Sequence, residues 1–577
     1  MQITGAELFV KALKEEKVEV LFGYPGGQAI DLFDALYGDP DLTVILPRHE
    51  QGLVHAADGY ARSTGKTGVC LVTSGPGATN LVTGIATANY DSVPLVCFTG
   101  QVPTGLIGND AFQEVDIVGI TRSICKYAVT CRSRDQLGDI IKKAFYIARS
   151  GRPGVVVVDI PKDIQKETGS SIYPEEVSVR GYHPCTSIHM GQVKKAVELL
   201  NQAKRPLFLA GGGVNIAHAG PLMTELAEKT GIPVVTTIMG KGALPASHEL
   251  YIGNLGIHGS FAANCAVSEC DVLFSIGTRF NDRITGKTGT FAKQAAIIHV
   301  DIDSASISRN IAVDIPIVAD ARIAITAFLE KCTPLPVREW REQIHGWKAA
   351  HPLALSRTDL SPELIIRTIN RVFQDVIIAA DVGQNQLWAT QFLELGEKKQ
   401  LLTSGGLGTM GYGLPAAIGA KIGCPARDVL VITGDGGFQM NLQELATAVT
   451  EELPVTVCIF NNGYLGNVRQ WQEQFFGRRY SSTCMRRRPS CPKLCFGPGP
   501  ACPPYTPDFL RLAESYGAEA IRVTTPGEVE PALVHAKSNR RTPTVIEFLI
   551  GWKENVLPIV PPGSPLNEMI LEEESDL

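Results

Sequence analysis

Residues 429–462 read VLVITGDGGFQMNLQELATAVTEELPVTVCIFNN, and this stretch decides the fold. Residues 429–433 and 455–460 are short apolar runs rich in β-branched side chains, and such runs predict buried strands. Between them, apolar side chains recur at helical spacing at Leu442, Leu445, Ala446 and Val449. A strand–helix–strand crossover makes the two strands parallel, so their carboxyl ends meet at one edge of the sheet.

The two predicted strands both end in side chains with hard oxygen donors. Asp435 lies in the Gly-Asp-Gly turn after the first strand, and Asn462 follows the second. Ligands of α/β folds bind at this edge, and carboxylate and amide oxygens beside a glycine turn suit Mg²⁺ holding a diphosphate. The alternative is an ordinary turn with a capping aspartate. The Asn-Asn pair that follows after 24 residues favours the metal site.

The composition is typical of a globular protein with several domains. The 577 residues are 44% hydrophobic and 19% charged, and the net charge of −6 gives no reason to expect nucleic acid or an anionic membrane as a partner. The N-terminus lacks the apolar core of a signal peptide, and no apolar run reaches the length of a membrane span. We therefore expect a cytoplasmic protein, in which scattered cysteines such as Cys70 and Cys458 are buried thiols.

The first third of the chain alternates strand and helix patterns, which predicts a doubly wound α/β domain. Glu50 stands at the end of a predicted strand, directly before a helix of small residues. A carboxylate is favourable at a helix start on electrostatic grounds alone, so a structural role is the alternative to a catalytic one. Residues 74–80, SGPGATN, form a glycine-rich turn before another helix, where the backbone can approach a ligand closely.

The middle third repeats the α/β pattern. The predicted strand at 206–210 leads into the turn Gly211-Gly212-Gly213, and a later predicted strand ends at Asp301. A glycine turn followed by a strand-end aspartate suggests a nucleotide site. The spacing is not a dinucleotide fingerprint, and plain turns are the alternative.

Short motifs in order along the chain carry a family resemblance. They are YPGG, RHEQG, TSGPGATN, TGQV, DAFQEVD, GRPG, DIPKDIQ and GDG…NN. The last is typical of thiamin diphosphate enzymes, and the ordered set closely resembles the catalytic subunit of acetohydroxyacid synthase, of the biosynthetic, FAD-containing kind. The match runs from the first residues to about 480 and resumes from about 507 to near the C-terminus.

The resemblance implies three doubly wound parallel-sheet α/β domains. A pyrimidine-binding domain is expected at 1–166, an FAD-binding domain at 188–332 and a diphosphate- and Mg²⁺-binding domain at 361–577, with linkers at 166–187 and 333–360. It also implies a homodimer or a dimer of dimers, because in the family one subunit supplies the position of Glu50 and the other the metal motif. A separate small regulatory subunit is a further expected partner.

The implied reaction is acetolactate synthesis, the first common step of branched-chain amino-acid biosynthesis. In the family, pyruvate loses CO₂ on thiamin diphosphate, and the two-carbon unit is transferred to a second pyruvate or to 2-oxobutanoate. The carried-over reaction residues are the catalytic Glu50, Gln113, Lys162 and Arg283, the substrate-pocket Phe112 and Trp471, and the Mg²⁺ ligands Asp435, Asn462 and Tyr464, the last through its carbonyl.

The resemblance also carries over cofactor contacts. For FAD they are Arg152, Gly211, Gly212, Gly213, Thr237, Leu255, His258, Gly277, Arg279, Asp301 and Asp320. For thiamin diphosphate they are Gly26, Pro76, Asn80, Gly383, Gln384, Asn385, Gly408, Met410, Gly434, Gly436 and Gly437. This chain departs from the family pattern at Asn281, usually Asp, at Ile257, usually Met, and at Asn385, commonly His. Asn385 can still offer a hydrogen bond to the diphosphate.

Residues 482–506, STCMRRRPSCPKLCFGPGPACPPYT, lengthen a region that is short in the family. A zinc knuckle is one interpretation, although C-x₆-C-x₃-C-x₆-C lacks close cysteine pairs. A disordered or mobile surface insertion is the second, and an unnatural segment from two compensating reading-frame shifts is the third. The composition favours the last two. The segment matters because the family folds this neighbourhood over the active site.

Two rival functions stay open on the sequence. One is another thiamin diphosphate enzyme of the same architecture, such as pyruvate oxidase, although the DAFQEVD motif and the context of Trp471 argue against it. The other is an inactive subunit that binds only cofactor or a partner, which the unusual segment makes plausible.

Overall fold

Three six-stranded parallel sheets organise the chain, which confirms the predicted class of three doubly wound α/β units. The computed structural model describes residues 2–353, 360–499 and 501–572. None of the helices in these ranges combines the length and apolar character that a membrane span requires. Most strands are buried on both faces under helices, and this explains why they read as continuous apolar runs instead of alternating ones.

The first sheet comes from the N-terminal third of the chain. The strands here are β1 (Gln2–Thr4), β2 (Val20–Tyr24), β3 (Thr43–Ile45), β4 (Gly68–Val72), β5 (Leu95–Gln101), β6 (Tyr127–Thr130), β7 (Val155–Pro161) and β8 (Thr168–Ser170). The helices are α1 (Gly5–Glu15), α2 (Ile30–Leu36), α3 (Glu50–Thr64), α4 (Pro76–Thr79), α5 (Val82–Tyr90), α6 (Ile117–Thr121), α7 (Leu137–Arg149) and α8 (Lys162–Lys166). The sheet order is β3-β2-β4-β5-β7-β6, and β1 pairs antiparallel with β8.

The second sheet has the strand order β11-β10-β9-β12-β13-β14, which is the order of dinucleotide-binding folds. Its strands are β9 (Pro206–Ala210), β10 (Val234–Thr236), β11 (Tyr251–Asn254), β12 (Val272–Ile276), β13 (Ala296–Asp301) and β14 (Ile315–Val318). Its helices are α9 (Met190–Gln202), α10 (Gly212–Ile216), α11 (Gly220–Thr230), α12 (Phe261–Glu269), α13 (Asp282–Thr285) and α14 (Ala321–Lys331).

The predicted linker at 333–360 contains a helix, α15 (Arg338–Ala350), that belongs to the second unit. Trp340 and Ile344 are buried, and the Trp340 indole N–H donates to the Pro206 carbonyl at 3.1 Å. The linker prediction misses this helix because most of its residues are polar and exposed, with only a narrow apolar stripe. Residues 354–359 of the predicted linker lie outside the described residues.

The third sheet has the order β16-β15-β17-β18-β20-β19. Its strands are β15 (Val376–Ala380), β16 (Lys399–Thr403), β17 (Asp428–Gly434), β18 (Val455–Asn461), β19 (Glu519–Val523) and β20 (Thr544–Leu549). Its helices are α16 (Pro362–Val372), α17 (Gln384–Phe392), α18 (Gly413–Gly423), α19 (Asp435–Phe438), α20 (Glu444–Thr450), α21 (Gly466–Phe475), α22 (Phe509–Tyr516) and α23 (Val529–Ser538). Short 3₁₀ turns also occur at Thr104–Leu106, Arg134–Gln136, Thr288–Thr290, Ser304–Ser306 and Pro526–Glu528.

The stretch 429–462 folds as predicted, with one refinement. Strands β17 and β18 are adjacent and parallel, and Gly434 pairs with Phe460 at their carboxyl ends. The single predicted helix between them is instead two short helices, α19 and α20, separated by residues 439–443.

Helices α3 and α18 join the first and third units through their backbones. A methyl group added at Gly419 would collide with the carbonyl oxygen of Ala56, and one added at Gly59 would collide with the carbonyl oxygen of Ala416. The two helices therefore cross at a distance that only glycine permits, and this crossing sets how the two units sit against each other.

Candidate active site

A small cavity of about 90 Å³ lies at the carboxyl edge of the third sheet. The strand order reverses direction between β15 and β17, and α/β folds bind ligands at such a switch point. Ten of the predicted residues line this cavity: Gly383, Gln384, Asn385, Met410, Gly434, Asp435, Gly436, Gly437, Asn462 and Tyr464. Gly408 is exposed on the loop that carries Met410 and lies outside the lining.

Asp435 and Asn462 have the chemistry that a divalent cation needs. Asp435 is buried, and burial raises the pKa of its carboxyl to about 7 although neighbouring groups, chiefly the Tyr505 hydroxyl, oppose the shift. Its Oδ2 has no hydrogen-bond partner among the described residues. Asn462 Oδ1 accepts from the Tyr464 N–H at 2.9 Å, which fixes the amide beside the cavity. A buried carboxylate oxygen without a partner is costly unless a cation neutralises it, so this residue set fits Mg²⁺.

The side chain of Asn385, which was expected to offer a hydrogen bond to the diphosphate, is hydrogen-bonded to the backbone instead. Its side-chain NH₂ donates to the carbonyls of Asp381 at 2.7 Å and Ile432 at 3.2 Å. Both donor hydrogens are therefore used by the backbone, and the side-chain oxygen is the group left facing Gly383 and Gly434. In this conformation the side chain braces the two strand ends and offers the cavity no donor.

Asp381 is a site residue that the sequence analysis missed. It is buried at the end of β15 and accepts hydrogen bonds from the backbone N–H groups of Val382, Gly411 and Gly413 at 2.7–3.0 Å. Burial raises the pKa of its carboxyl to about 6 against these three hydrogen bonds. Asp381 thus anchors the far end of the glycine-rich loop, and its position at a strand end was the available signal.

A second group of predicted residues gathers at the switch point between β2 and β4 of the first sheet. Glu50 begins α3, and its Oε2 accepts from Asn80 Nδ2 at 2.9 Å. Gln113 packs against the Gly75 turn, and Lys162 donates to the Gly27 carbonyl. Gly26 follows β2 and Pro76 begins α4 after β4, and we call the whole group the N-terminal half-site: Gly26, Glu50, Pro76, Asn80, Gln113 and Lys162.

Within one chain the two groups stay apart. No hydrogen bond or ion pair between described residues links Glu50 with Asp435 or Asn462. The backbone N–H groups of Arg48 and His49 instead bind the Glu444 carboxylate on α20. Phe112, predicted in the substrate pocket, is 84% exposed. In a single chain these residues thus form two separate groups, the N-terminal half-site and the lining of the third-sheet cavity.

A groove of about 1040 Å³ runs along the second sheet and touches both other units. Eight of the predicted FAD contacts line it: Arg152, Gly212, Gly213, Thr237, Gly277, Arg279, Asp301 and Asp320. Gly211 lies just outside the lining, while Leu255 is buried elsewhere and His258 is half-buried against the backbone of Val556 and Pro558.

The groove fits an extended dinucleotide. The turns after β9 and β12 meet at the switch point of the second sheet, where a methyl group added at Gly213 would lie 2.7 Å from the Gly277 Cα. Such glycine turns leave space that a diphosphate backbone can enter. Arg152 and Arg279 supply positive charge, and burial raises the pKa of Asp301 to about 6. These features support the FAD assignment by shape and charge.

Arg283 and Trp471 come together although they are far apart in sequence. The Arg283 guanidinium lies 6.0 Å from the centre of the Trp471 ring, a cation–π distance. Arg283 also lines the large groove, and its side chain is 58% exposed. A cation that can grip a carboxylate is thus held beside a large apolar surface.

The unusual segment 482–506 contacts the cavity with both of its ends. Thr483 is buried, and Cys484 pairs with Tyr464 in an antiparallel bridge. Near the other end, the Tyr505 hydroxyl accepts from Gln439 Nε2 at 2.9 Å. Between these ends, Leu494 is 79% exposed. The interpretation as a surface insertion therefore fits only the middle of the segment.

The four crowded cysteines of this segment are free thiols: Cys484, Cys491, Cys495 and Cys502. Among the residues that the structure describes, no three His, Cys, Asp or Glu side chains converge to hold a metal ion. The structure thus offers no support for the zinc-knuckle interpretation.

Three models of thiamine pyrophosphate enzyme domains match this chain. The N-terminal TPP binding domain matches residues 3–120, the central domain 193–328 and the C-terminal TPP binding domain 381–548. The N-terminal half-site lies in the first of these regions except for Lys162, the cavity of the third sheet lies in the third, and the large groove is lined mainly by the second.

Curated relatives match over nearly the whole chain. The acetolactate synthase large subunit of Corynebacterium glutamicum is 45% identical over 572 residues, covering 98% of this chain and 89% of its own length. The probable acetolactate synthase large subunit of Methanococcus aeolicus is 44% identical over 591 residues, with 98% and 95% covered. The isozyme 3 large subunit of Escherichia coli is 42% identical over 583 residues, with 99% and 98% covered. This chain therefore belongs to the acetolactate synthase large-subunit family of thiamine pyrophosphate enzymes.

Proposed function

We propose that this acetolactate synthase joins pyruvate to a second 2-oxo acid in a site that two copies of the chain complete. The observation that carries the proposal is the buried Asp435, with an unpartnered carboxylate oxygen beside Asn462 at the switch point of the third sheet. Glu50 sits at the corresponding edge of the first sheet, and within one chain no hydrogen bond or ion pair between described residues links it to Asp435 or Asn462. A second copy, which brings its own Glu50 to this cavity, would complete the site.

The residues of the cavity would bind and orient the cofactor. Asp435, Asn462 and the Tyr464 carbonyl would hold Mg²⁺ against the diphosphate, and Met410 would support the ring system from the glycine-rich loop. Thiamin diphosphate, when bound, supplies an electron sink for the loss of CO₂ and for transfer of the two-carbon unit. Glu50 would hold a proton on Oε1, since Oε2 is occupied by Asn80.

The second substrate would bind between Arg283 and Trp471. A guanidinium grips a carboxylate through two parallel hydrogen bonds, so Arg283 would orient the acid group of pyruvate or 2-oxobutanoate. The Trp471 ring provides an apolar wall, which favours the ethyl group of 2-oxobutanoate over a methyl group by about 1–2 kcal/mol. Gln113, Lys162 and Phe112 would line the approach to the site once a second copy covers them.

FAD and protein partners complete the proposal. The large groove is proposed to hold FAD in an extended form without a net redox role. The relatives are named as large subunits, which supports a separate small regulatory subunit as a partner. Homodimers or dimers of dimers in the cytoplasm are the proposed assembly.

The Glu50→Gln variant tests the mechanism. It keeps the hydrogen bond to Asn80 possible but removes the proton-holding carboxylate, so acetolactate formation should fall by about 10²-fold or more. Glu15→Gln changes an exposed carboxylate at the end of α1 and serves as the matched control. Product is measured from pyruvate with thiamin diphosphate and Mg²⁺ present, together with oxygen uptake.

Each outcome decides between the candidate functions. Acetolactate formed by the unmutated protein without oxygen uptake supports the synthase, while oxygen uptake with acetate as product supports a pyruvate oxidase. Unchanged turnover in Glu50→Gln refutes the proposed role of this carboxylate. If the unmutated protein binds thiamin diphosphate and Mg²⁺ but shows no turnover, the inactive-subunit alternative is supported.

A further inference from the structure

The loop at residues 404–412 lies between the two cofactor regions of one chain. It connects β16 to α18 and carries Met410, which lines the cavity of the third sheet. Its first residues, Gly405 and Gly406, line the large groove instead. The position of this single loop therefore shapes both regions, and what holds it in place matters for both.

Residues of the first unit hold the start of the loop. Asp91, at the end of α5, accepts hydrogen bonds from the backbone N–H groups of Gly405 at 3.1 Å and Gly406 at 2.8 Å. Arg62 on α3 donates to the Thr403 carbonyl at 3.1 Å. A methyl group added at Gly406 would lie 2.7 Å from Asp91 Oδ1, so the carboxylate meets the bare backbone.

The same unit also holds the end of the loop. The Tyr412 hydroxyl donates to Asp58 Oδ1 at 2.6 Å, and the hydroxyls of Thr409 and Thr87 are 2.7 Å apart. Asp58 lies one helical turn before Arg62 on α3. Both ends of the loop are thus tied to α3 and α5 rather than to the third unit alone.

Arg62 joins the two anchor points into one buried network. Its Nε lies 2.7 Å from Asp58 Oδ1, and its Nη2 lies 3.0 Å from Asp91 Oδ2. The side chains of Asp58 and Asp91 are 0% and 1% exposed. One guanidinium cannot balance two buried carboxylates, so the N–H groups of the loop are needed to satisfy Asp91. The charge cluster therefore fixes the loop instead of merely touching it.

We propose that Asp58, Arg62 and Asp91 form an interdomain clamp that positions the 404–412 loop, and with it Met410, for thiamin diphosphate binding. The clamp also borders the large groove, because Arg62 and Asp91 line it and the Gly406 backbone packs beside Arg279. A ligand in the groove therefore stabilises the same loop position that thiamin diphosphate uses. The inference rests on the proposed cofactor sites, and Asp58, Arg62 and Asp91 are positioning residues that act on thiamin diphosphate through the loop.

The Asp91→Asn variant tests the clamp. Asn keeps the size but loses the charge and one acceptor, so the thiamin diphosphate concentration for half-maximal activity should rise about tenfold, the size expected for one buried charged hydrogen bond. The kcat at saturating cofactor should stay within about twofold, because the reacting groups are unchanged. Asp271→Asn is the matched control, since Asp271 also accepts from two consecutive backbone N–H groups, those of Lys204 and Arg205, away from both sites.

A double-mutant cycle separates positioning from general stability. If Asp91 acts through the loop, its effect on half-saturation should shrink to less than about threefold when Met410→Ala is already present. Additive effects, or equal effects of Asp91→Asn and Asp271→Asn, overturn the proposal. Should Asp91→Asn fail to fold, Tyr412→Phe removes one hydroxyl at the other anchor and must raise half-saturation in the same direction. If the unmutated protein binds no thiamin diphosphate, the proposed function fails and not only the clamp.

Discussion

Protonation of His55 should lower the unfolding free energy of this protein in acid, by an amount that can be calculated. The residue lies on α3, is completely buried and packs edge-on against Tyr412 with ring centres 5.5 Å apart. Neither ring nitrogen has a hydrogen-bond partner among the described residues. Burial, and secondarily the positive charge of Arg62, lowers the pKa of this histidine from 6.5 to about 3.

The direction of the effect follows from which state binds the proton. Between pH 6.5 and about 3 the unfolded chain carries a proton on His55 and the folded protein does not. Stability from this group is therefore complete above pH 6.5 and is lost as the pH falls below it. Lowering the pH from about 7.5 to about 5 should cost about 2 kcal/mol of unfolding free energy through His55 alone.

The His55→Leu variant isolates this contribution. Urea unfolding of the cofactor-free protein is followed by tryptophan fluorescence at several pH values, and the two proteins are compared at each pH. Other groups with shifted pKa values occur in both proteins and cancel in the difference: His258, Asp159, Asp301 and Asp381. His345→Leu replaces an exposed histidine on α15 and is the matched control.

The difference in unfolding free energy between the unmutated protein and His55→Leu should grow as the pH falls. The unmutated protein should lose about 2 kcal/mol more than His55→Leu between the two ends of the pH range, while the control follows the unmutated protein. Parallel profiles for the unmutated protein and His55→Leu would show that His55 either is protonated in the folded state or finds a partner there. Either result refutes the argument from burial.

Two further predictions concern the α3–α18 crossing and the acceptor pocket. Gly419→Ala, which forces a methyl group into the Ala56 carbonyl, should destabilise the protein by more than about 3 kcal/mol, whereas Gly346→Ala in exposed α15 should stabilise it by about 0.5–1 kcal/mol. Urea unfolding checks both, and equal effects contradict the close crossing. Trp471→Ala should reduce the preference for 2-oxobutanoate over pyruvate about tenfold in competition assays, and an unchanged ratio excludes Trp471 as the apolar wall.

Local patterns predicted the elements that each half-site is built on. The apolar runs before Asp435 and Asn462 specify two buried strands, and the crossover between them makes the strands parallel, so both residues had to reach one sheet edge. Glu50 at the start of α3 followed from the same reasoning on the first sheet. Hydrophobic period and the parallel direction of a short crossover are local properties, and one sequence contains enough information for them.

Contacts between distant segments were not predictable in this way. Asp91 meets Gly405 and Gly406 across more than 300 residues, and no periodicity relates the two segments. Asp381 stood at a strand end, but only the fold reveals that it anchors Gly411. Asp91 and Asp381 are buried carboxylates that backbone N–H groups of the loop satisfy. Their importance depends on burial, and a sequence does not show which carboxylates will be buried.

The start of the segment 482–506 is bonded to the loop that carries Tyr464. Met485 donates its N–H to the Gly463 carbonyl, and Leu465 donates to the Thr483 carbonyl, so the start of the segment is hydrogen-bonded to both sides of Tyr464. Tyr464 is one of the three proposed Mg²⁺ ligands, and it contributes its backbone. A replacement of the whole segment would therefore disturb the metal loop even if the exposed middle were dispensable. The boundary between the two parts lies inside the segment, after Met485 and before Tyr505, and it does not coincide with the limits suggested by composition.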